Sequence, residues 1–507
     1  MVKKLFIILV IFICMLPVST VSIKAESGII ENDETGIPDR KLYKKILNAL
    51  KKKSDEKITG KEAESIERLW LGWGNEIVTF KGLGYLKNLE KLDCWGINTK
   101  DLEEIASQLP QLKRLNIQGY DEVWETSYPP IEERKQELDS LEPLRNMKHL
   151  IVLNVSDNKL KSLDGIEGMT KLKVLRADKN QITNAGAVKE LKKLTKIYLS
   201  DNQLADLNGI NNLTNLKYLD VSNNRLIDVK GIGKLKKLED LSLSGNSLTN
   251  VKGIEKLKKL KVLPVRDNKL KSIGSIKKMK NLVQLDIAGN RLANIKGIKS
   301  LKNLKVLNLD KNDLKKADEV VNLKKLEKLS LYGNKLGKLP DLKKMKKLKT
   351  LDARDNKLKK IPDLRELKET DIRLEWNYLT KKEIKKKLPY NRREYNQLMK
   401  KQKTNIKITY LSPGQKSEIT KNTTEIVGRI TPTVIEECIP QVYLCLSNGE
   451  LIGWDGSMHT ITEADKDGIF RLEGLDLTGY AGQEIRLVLA IDYDIYRFTI
   501  DRFVVQD

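Results

Sequence analysis

Ten asparagines, Asn158, Asn180, Asn202, Asn224, Asn246, Asn268, Asn290, Asn312, Asn334 and Asn356, stand 22 residues apart. Apolar residues lie eight, five and three positions before most of them, as Leu150, Leu153 and Val155 do before Asn158. A second apolar set follows each asparagine, as in Leu160, Leu163, Ile166 and Met169. A strict period of this length rules out a fold around one central core. Each unit is too short to bury its own leucines, so consecutive units must stack.

The pattern is that of leucine-rich repeats, L-x-x-L-x-L-x-x-N-x-L. It predicts one short strand per coil with its leucines pointing inward. The asparagine turns the chain, and its amide is placed to bond backbone groups that no sheet ladder reaches. A buried leucine contributes about 1.5–3 kcal/mol, but only when the next coil covers it, so both ends need caps. Irregular copies, Ile66/Leu69/Leu71, Leu89/Leu92/Cys94, Leu112/Leu115/Ile117 and Ile372/Leu374 before Asn377, bring the expected number of coils to fourteen over residues 66–379. Pro264 between Leu263 and Val265 removes a ladder donor, which predicts a local break in pairing.

Composition narrows function. Two histidines, His149 and His459, leave little material for histidine-based catalysis or a multi-histidine metal site, and four cysteines are too few for a disulfide scaffold. The expectation is a protein that is not an enzyme and holds no cofactor or metal. The acidic stretch Asp465–Gly468 has a calcium-loop flavour without the remaining ligands. Residues 1–25 read as a cleaved signal peptide: Lys3 and Lys4, the apolar run Leu5 to Leu16, then Ile23-Lys24-Ala25 as cleavage site. Its removal takes three lysines and no acid, leaving +22 of the net charge of +25. No second apolar span follows, so the mature chain is expected to be secreted, with peripheral surface association as the variant. Cys94 reads as a buried small hydrophobe. Cys438 and Cys445 are too far apart to pair along one continuous strand, and a turn at Ile439-Pro440 would reopen that question.

Residues 26–65 read as a linker and helical N-terminal cap: Ile37-Pro38-Asp39 opens a helix with Leu42, Ile46, Leu47 and Leu50 on one face, and a second begins near Thr59. Here the chain resembles the internalin family of secreted and surface proteins of Gram-positive bacteria. The resemblance rests on Ile37-Pro38-Asp39, the Ile58-Thr59 stretch and coils with Gly-Ile after the asparagine, as in Gly209-Ile210 and Gly231-Ile232. It implies protein binding on the concave sheet face. The chain departs from the family in having no L-P-x-T-G sorting signal, and in a basic helical segment, 380–404, after the array. From 405 to 507 the period changes to two, with turn signals at Asn448-Gly449 and Asp467-Gly468, which predicts an all-β immunoglobulin-like sandwich.

Three outward positions per coil make up the concave face. They hold nine basic residues (Arg68, Lys91, Arg114, Arg176, Lys196, Arg266, Lys328, Arg354, Arg373) and nine acidic ones (Asp93, Asp178, Asp220, Asp240, Asp286, Asp310, Asp352, Asp371, Glu375). The excess charge therefore sits elsewhere, on lysine runs such as Lys256–Lys259 and Lys343–Lys347. These are either a solvated flank or a tether to anionic cell-wall polymer. Nucleic acid is not an expected partner, since no recognition motif is present. Exposed aromatics mixed with Arg and Asp are the material of protein-binding hot spots. Candidate contacts are Trp70, Trp95, Arg176, Tyr198, Tyr218, Asp220, Arg266, Asp286, Tyr332, Asp352, Arg354 and Trp376. For the tryptophans the competing reading is packing under the caps. The coil after Leu112 carries an insertion near 121–137, whose Trp124 and Tyr128 either meet a partner or mark a surface excursion. The expected function is binding of an extracellular protein, with host proteins among the candidates; the alternative is a wall-associated module.

Overall fold

The computed structural model describes residues 28–119 and 138–389, and beyond them 407–412, 419–420, 422–423, 425–431, 441–446, 461–463, 469–473, 475, 477–491 and 496–506. The signal segment, the insertion with Trp124 and Tyr128, and Cys438 lie outside the described residues. The chain divides into two compact units, one reaching Asp313 and including Asn322–Leu326, the other made of Leu314–Val321 and Glu327 onward.

The first unit opens with β1 (Ile29–Ile30), α1 (Arg40–Ala49), β2 (Ile58–Thr59) and α2 (Gly60–Glu64). Asp39 caps α1 by accepting from Leu42 N at 2.8 Å, and its second oxygen accepts from Val78 N at 2.7 Å, tying the helix start to the first coil. Leu42, Tyr43, Ile46 and Leu47 are buried on one face of α1. Thr59 and Glu62 form a reciprocal capping box at α2. Ile30 pairs with Ile58, and the Tyr43 hydroxyl bonds to both backbones, donating to Ile30 O and accepting from Ile58 N.

Eleven parallel coil strands follow: β3 (Arg68–Trp73), β4 (Lys91–Trp95), β5 (Arg114–Asn116), β6 (Val152–Asn154), β7 (Val174–Arg176), β8 (Lys196–Tyr198), β9 (Tyr218–Asp220), β10 (Asp240–Ser242), β11 (Val262–Pro264), β12 (Gln284–Asp286) and β13 (Val306–Asn308). Their central residues pair in register, Leu153 to Leu175, Ile197, Leu219 and Leu241, and all five are fully buried. The coil backs between most of these strands are single 3-10 turns. Gly209 leads into one of them at φ +85°, where a Cβ would lie 2.2 Å from Ala185 O, and Gly165, at φ +105°, has Leu141 O about as close, so at these two coil backs only glycine fits.

The asparagines join coil to coil. Asn180 donates through Nδ2 to Val155 O (3.0 Å), Ala177 O (3.2 Å) and Asp178 O (3.1 Å), while its Oδ1 accepts from Leu160 N (3.0 Å). The same set recurs at Asn202, Asn224, Asn246, Asn268, Asn290 and Asn312. Buried backbone groups at each bend are thus satisfied by one side chain that sheet pairing cannot replace. Pro264 weakens one seam only: β10 pairs with β11 at Asp240–Val262 alone, whereas β11 pairs with β12 through all three residues. The missing N–H points to one neighbour, so only that neighbour loses pairing. Between β4 and β5 the coil back is a full helix, α3 (Thr99–Gln108), capped by Asn98 and Asp101.

The second unit holds three more parallel coil strands, β14 (Lys328–Ser330), β15 (Thr350–Asp352) and β16 (Asp371–Arg373), which brings the coil strands to fourteen. Asn356 and Asn377 repeat the asparagine bonds. Helix α4 (Lys381–Lys387) follows, capped by Thr380. Seven antiparallel strands come next: β17 (Lys407–Ser412), β18 (Glu425–Thr431), β19 (Gln441–Leu446), β20 (Ile461–Glu463), β21 (Ile469–Glu473), β22 (Glu484–Ile491) and β23 (Tyr496–Val504). They form a sheet ordered β17-β18-β21 and another ordered β20-β19-β22-β23. Ile426, Phe470 and Leu472 of one sheet share a core with Val442, Leu444, Ile485 and Leu487 of the other.

Candidate partner-binding face

The pleat turns the two flanking residues of each coil strand away from the leucines, so side chains line up in rows across the sheet. In the first unit one row reads Arg68, Lys91, Arg114, Val152, Val174, Lys196, Tyr218 and Asp240. The next reads Asp93, Asn116, Asn154, Arg176, Tyr198 and Asp220.

Three predicted contact residues meet at the middle of this face. The Tyr198 and Tyr218 rings lie 4.6 Å apart at 33°, and the Arg176 guanidinium sits 4.0 Å over the Tyr198 ring. Both tyrosines are half-buried while Arg176 is exposed. Their order is fixed by the strands beneath: Arg176 is paired with Tyr198, and Tyr218 is one strand further and displaced by two residues. Burial pushes the Tyr218 hydroxyl up to about 12, helped by the negative charge of Asp220. Asp220 is held by Ser222, whose N–H and hydroxyl donate to it at 3.0 and 2.6 Å. Burial likewise raises Asp178 and Asp286 above the ordinary carboxylate value. Such pre-set rings and ions offer contact area at little ordering cost.

The tryptophans divide. Trp70 is 56% exposed, meets Trp95 edge-on at 6.2 Å, and carries Lys45 of α1 5.3 Å from its ring. Trp95 is half-buried and packs also against Trp73 at 5.6 Å, a contact not anticipated from the sequence. Trp376, in the second unit, has φ +55° and is only 6% exposed, so its ring is packed inside and its place among the contact candidates is corrected to a core position. In that unit Asp352 is also buried and is bound by Arg354 at 2.6 Å, which stands 5.6 Å from the Tyr332 ring. This ion pair, between residues two apart at the end of β15, leaves Asp352 little to offer a partner. Arg373 and Asp371 pair in the same way at 2.8 Å.

The charges of the face are segregated in the first unit. From β3 to β8 the outward positions carry Arg68, Lys91, Arg114, Arg176 and Lys196 against Asp93 and Asp178. From β9 to β13 they carry Asp220, Asp240, Asp286 and Asp310 against Arg266, which is itself paired with Asp267 at 3.0 Å. The tyrosine pair lies at the reversal. On the basic side, a depression of about 320 Å³ is lined by Arg114, Asn116, Val152, Asn154, Val174, Arg176, Lys196 and Tyr198. Sequence reading counted these ions but did not find the depression, whose signal is the pair of short valines between Arg114 and Lys196 in one row. The lysine runs are exposed at Lys256, Lys258, Lys259, Lys343, Lys344, Lys346 and Lys347, with Leu257, Leu342, Met345 and Leu348 buried between them. Among the described residues no His/Cys/Asp/Glu group could hold a metal ion, and no helix is long and apolar enough to cross a membrane.

The family model for tandem leucine-rich repeats matches residues 192–234, 214–256, 302–344 and 324–366. Among solved structures, an internalin (inlF) from Listeria monocytogenes is 22% identical, covering 68% of this chain and 91% of its own, with a TM-score of 0.53. A leucine-rich repeat protein of Leptospira interrogans is 26% identical, covering 68% of this chain and 96% of its own, with a TM-score of 0.50. No functionally described protein sequence matches the chain. The chain shares the leucine-rich repeat fold of these internalin-type structures.

Proposed function

We propose that this is a secreted recognition protein that binds an extracellular protein, a host protein among the candidates, on the open sheet face of its first unit. The observation that carries the reading is the Arg176–Tyr198–Tyr218 stack, a preformed aromatic and cationic cluster on strands whose register is fixed by buried leucines. Residues 1–25 act as the signal peptide, α1 and α2 cap the array, and the seven-stranded region is an immunoglobulin-like module. The test is binding of the full chain to intact cell-surface fractions, compared with a Tyr198→Ala/Tyr218→Ala variant. A loss of tenfold or more with an unchanged unfolding midpoint supports the site; unchanged affinity removes it.

The exposed lysine flank favours a second reading, retention on anionic wall polymer. Electrostatic retention is screened by salt, so washing cells at about 1 M ionic strength releases a protein held this way.

A further inference from the structure

We propose that the depression over Val152 and Val174 is a subsite for an acidic side chain of the protein partner, and that the charge reversal beyond it fixes the direction in which that partner lies. The proposal rests on the protein-binding reading above. The two valines are short, and Arg114 and Lys196 flank them in the same row, three parallel-strand steps or about 14 Å apart. Arg176 and the Asn116 and Asn154 amides stand in the neighbouring row, and Tyr198 closes one wall. Asn154 donates to Asn116 Oδ1 at 2.8 Å and Asn116 donates to Asp93 at 3.0 Å, so these amides are oriented. Among the described residues no carboxylate lies within ion-pair distance of Arg176 or Lys196, which feel Asp178 and Asp240 only at longer range, and Arg114 has only a long contact of 3.8 Å to Asp93. Cations without close counter-ions around an apolar floor suit a glutamate, whose methylenes cover the valines while its carboxylate meets the guanidinium and ammonium groups.

A long polyanion fits poorly. Beyond Tyr218 the face presents Asp220, Asp240, Asp286 and Asp310, which repel a uniformly negative chain. The complementary partner is a protein surface that is acidic opposite β3–β8 and basic opposite β9–β13.

The experiment uses fluorescence anisotropy on the full chain with three labelled probes. These are hexaglutamate, a peptide of three glutamates and three lysines joined by a Gly-Ser spacer, and a linear polyphosphate of six units. The two-sign peptide is expected to bind more tightly than hexaglutamate, although the chain's net charge of +25 favours the latter. Arg114→Gln and Lys196→Gln should each weaken it about tenfold. Val174→Phe, which fills the depression without changing charge, should do the same, while Lys258→Gln/Lys259→Gln on the flank should not. Equal weakening by the flank variant, no effect of Val174→Phe, or polyphosphate binding as tightly through the same residues would overturn the subsite. If the depression variants bind normally and Tyr198→Ala/Tyr218→Ala does not, the subsite fails and the protein-binding face stands. If neither set loses affinity, both readings fall.

Discussion

Replacing Asn224 isolates the bond network that makes this repeat stack. The side chain is buried, donates to Leu199 O (2.9 Å), Val221 O (3.2 Å) and Ser222 O (3.0 Å), and accepts from Leu204 N (2.8 Å). The three carbonyls keep other donors, from Asn202, Asn246 and Asp201 N. Their loss is therefore partial, about 0.5 kcal/mol each. The Leu204 N–H is a different case, because stranding a buried donor costs about 1–3 kcal/mol. Together Asn224→Ala should cost about 3 kcal/mol. Asn224→Asp keeps the acceptor for Leu204 but turns a carboxylate on three carbonyl oxygens, so it should cost at least as much at neutral pH. Urea unfolding followed by circular dichroism measures both, with Lys230→Ala, whose side chain is 92% exposed, as control. Hydrogen exchange at the Leu204 amide reports the local opening. An aspartate variant as stable as the parent, or an alanine variant within about 0.5 kcal/mol of the control, would refute the reasoning.

Burial holds the Asp286 carboxyl above its ordinary 3.8, so its contribution to stability is complete below that value and is lost as pH rises through the folded value. Asp286→Asn should therefore raise the melting temperature at pH 7 and change it little at pH 3; thermal melts at the two pH values check this. Glu62 is shifted the other way, to about 2, by Lys52 and then by the Thr59 bonds. Its contribution is present above the ordinary 4.5 and lost as pH falls through about 2, and Lys52→Met should move the carboxyl resonance back upward in an NMR titration. Leu241→Ala removes a fully buried side chain stacked between two coils and should cost about 3 kcal/mol, with faster hydrogen exchange appearing first in β9 and β11.

Much of this molecule is legible without coordinates. The 22-residue asparagine spacing, the apolar positions and Ile37-Pro38-Asp39 lead to the coil strands, the asparagine bonds and the opening helix, because each is a local rule repeated until it dominates. Helix α3 was also readable, from Asn98, Asp101 and the apolar set Leu102, Ile105, Ala106 and Leu109, but its irregular coil hid the pattern. The net charge of the face came from counting; where the charges lie relative to one another did not.

What the sequence determined by itself is periodic: which residues are buried, which point outward, and that coils must cover one another. What only the tertiary structure decided is lateral. Whether Arg176 lies over Tyr198, whether Trp376 packs inward, and whether Val152 and Val174 leave a hollow between two cations depend on register between strands 22 or more residues apart. The period places a side chain on a face, but its neighbours across the sheet, and their relative lengths, set its distance, charge environment and accessibility.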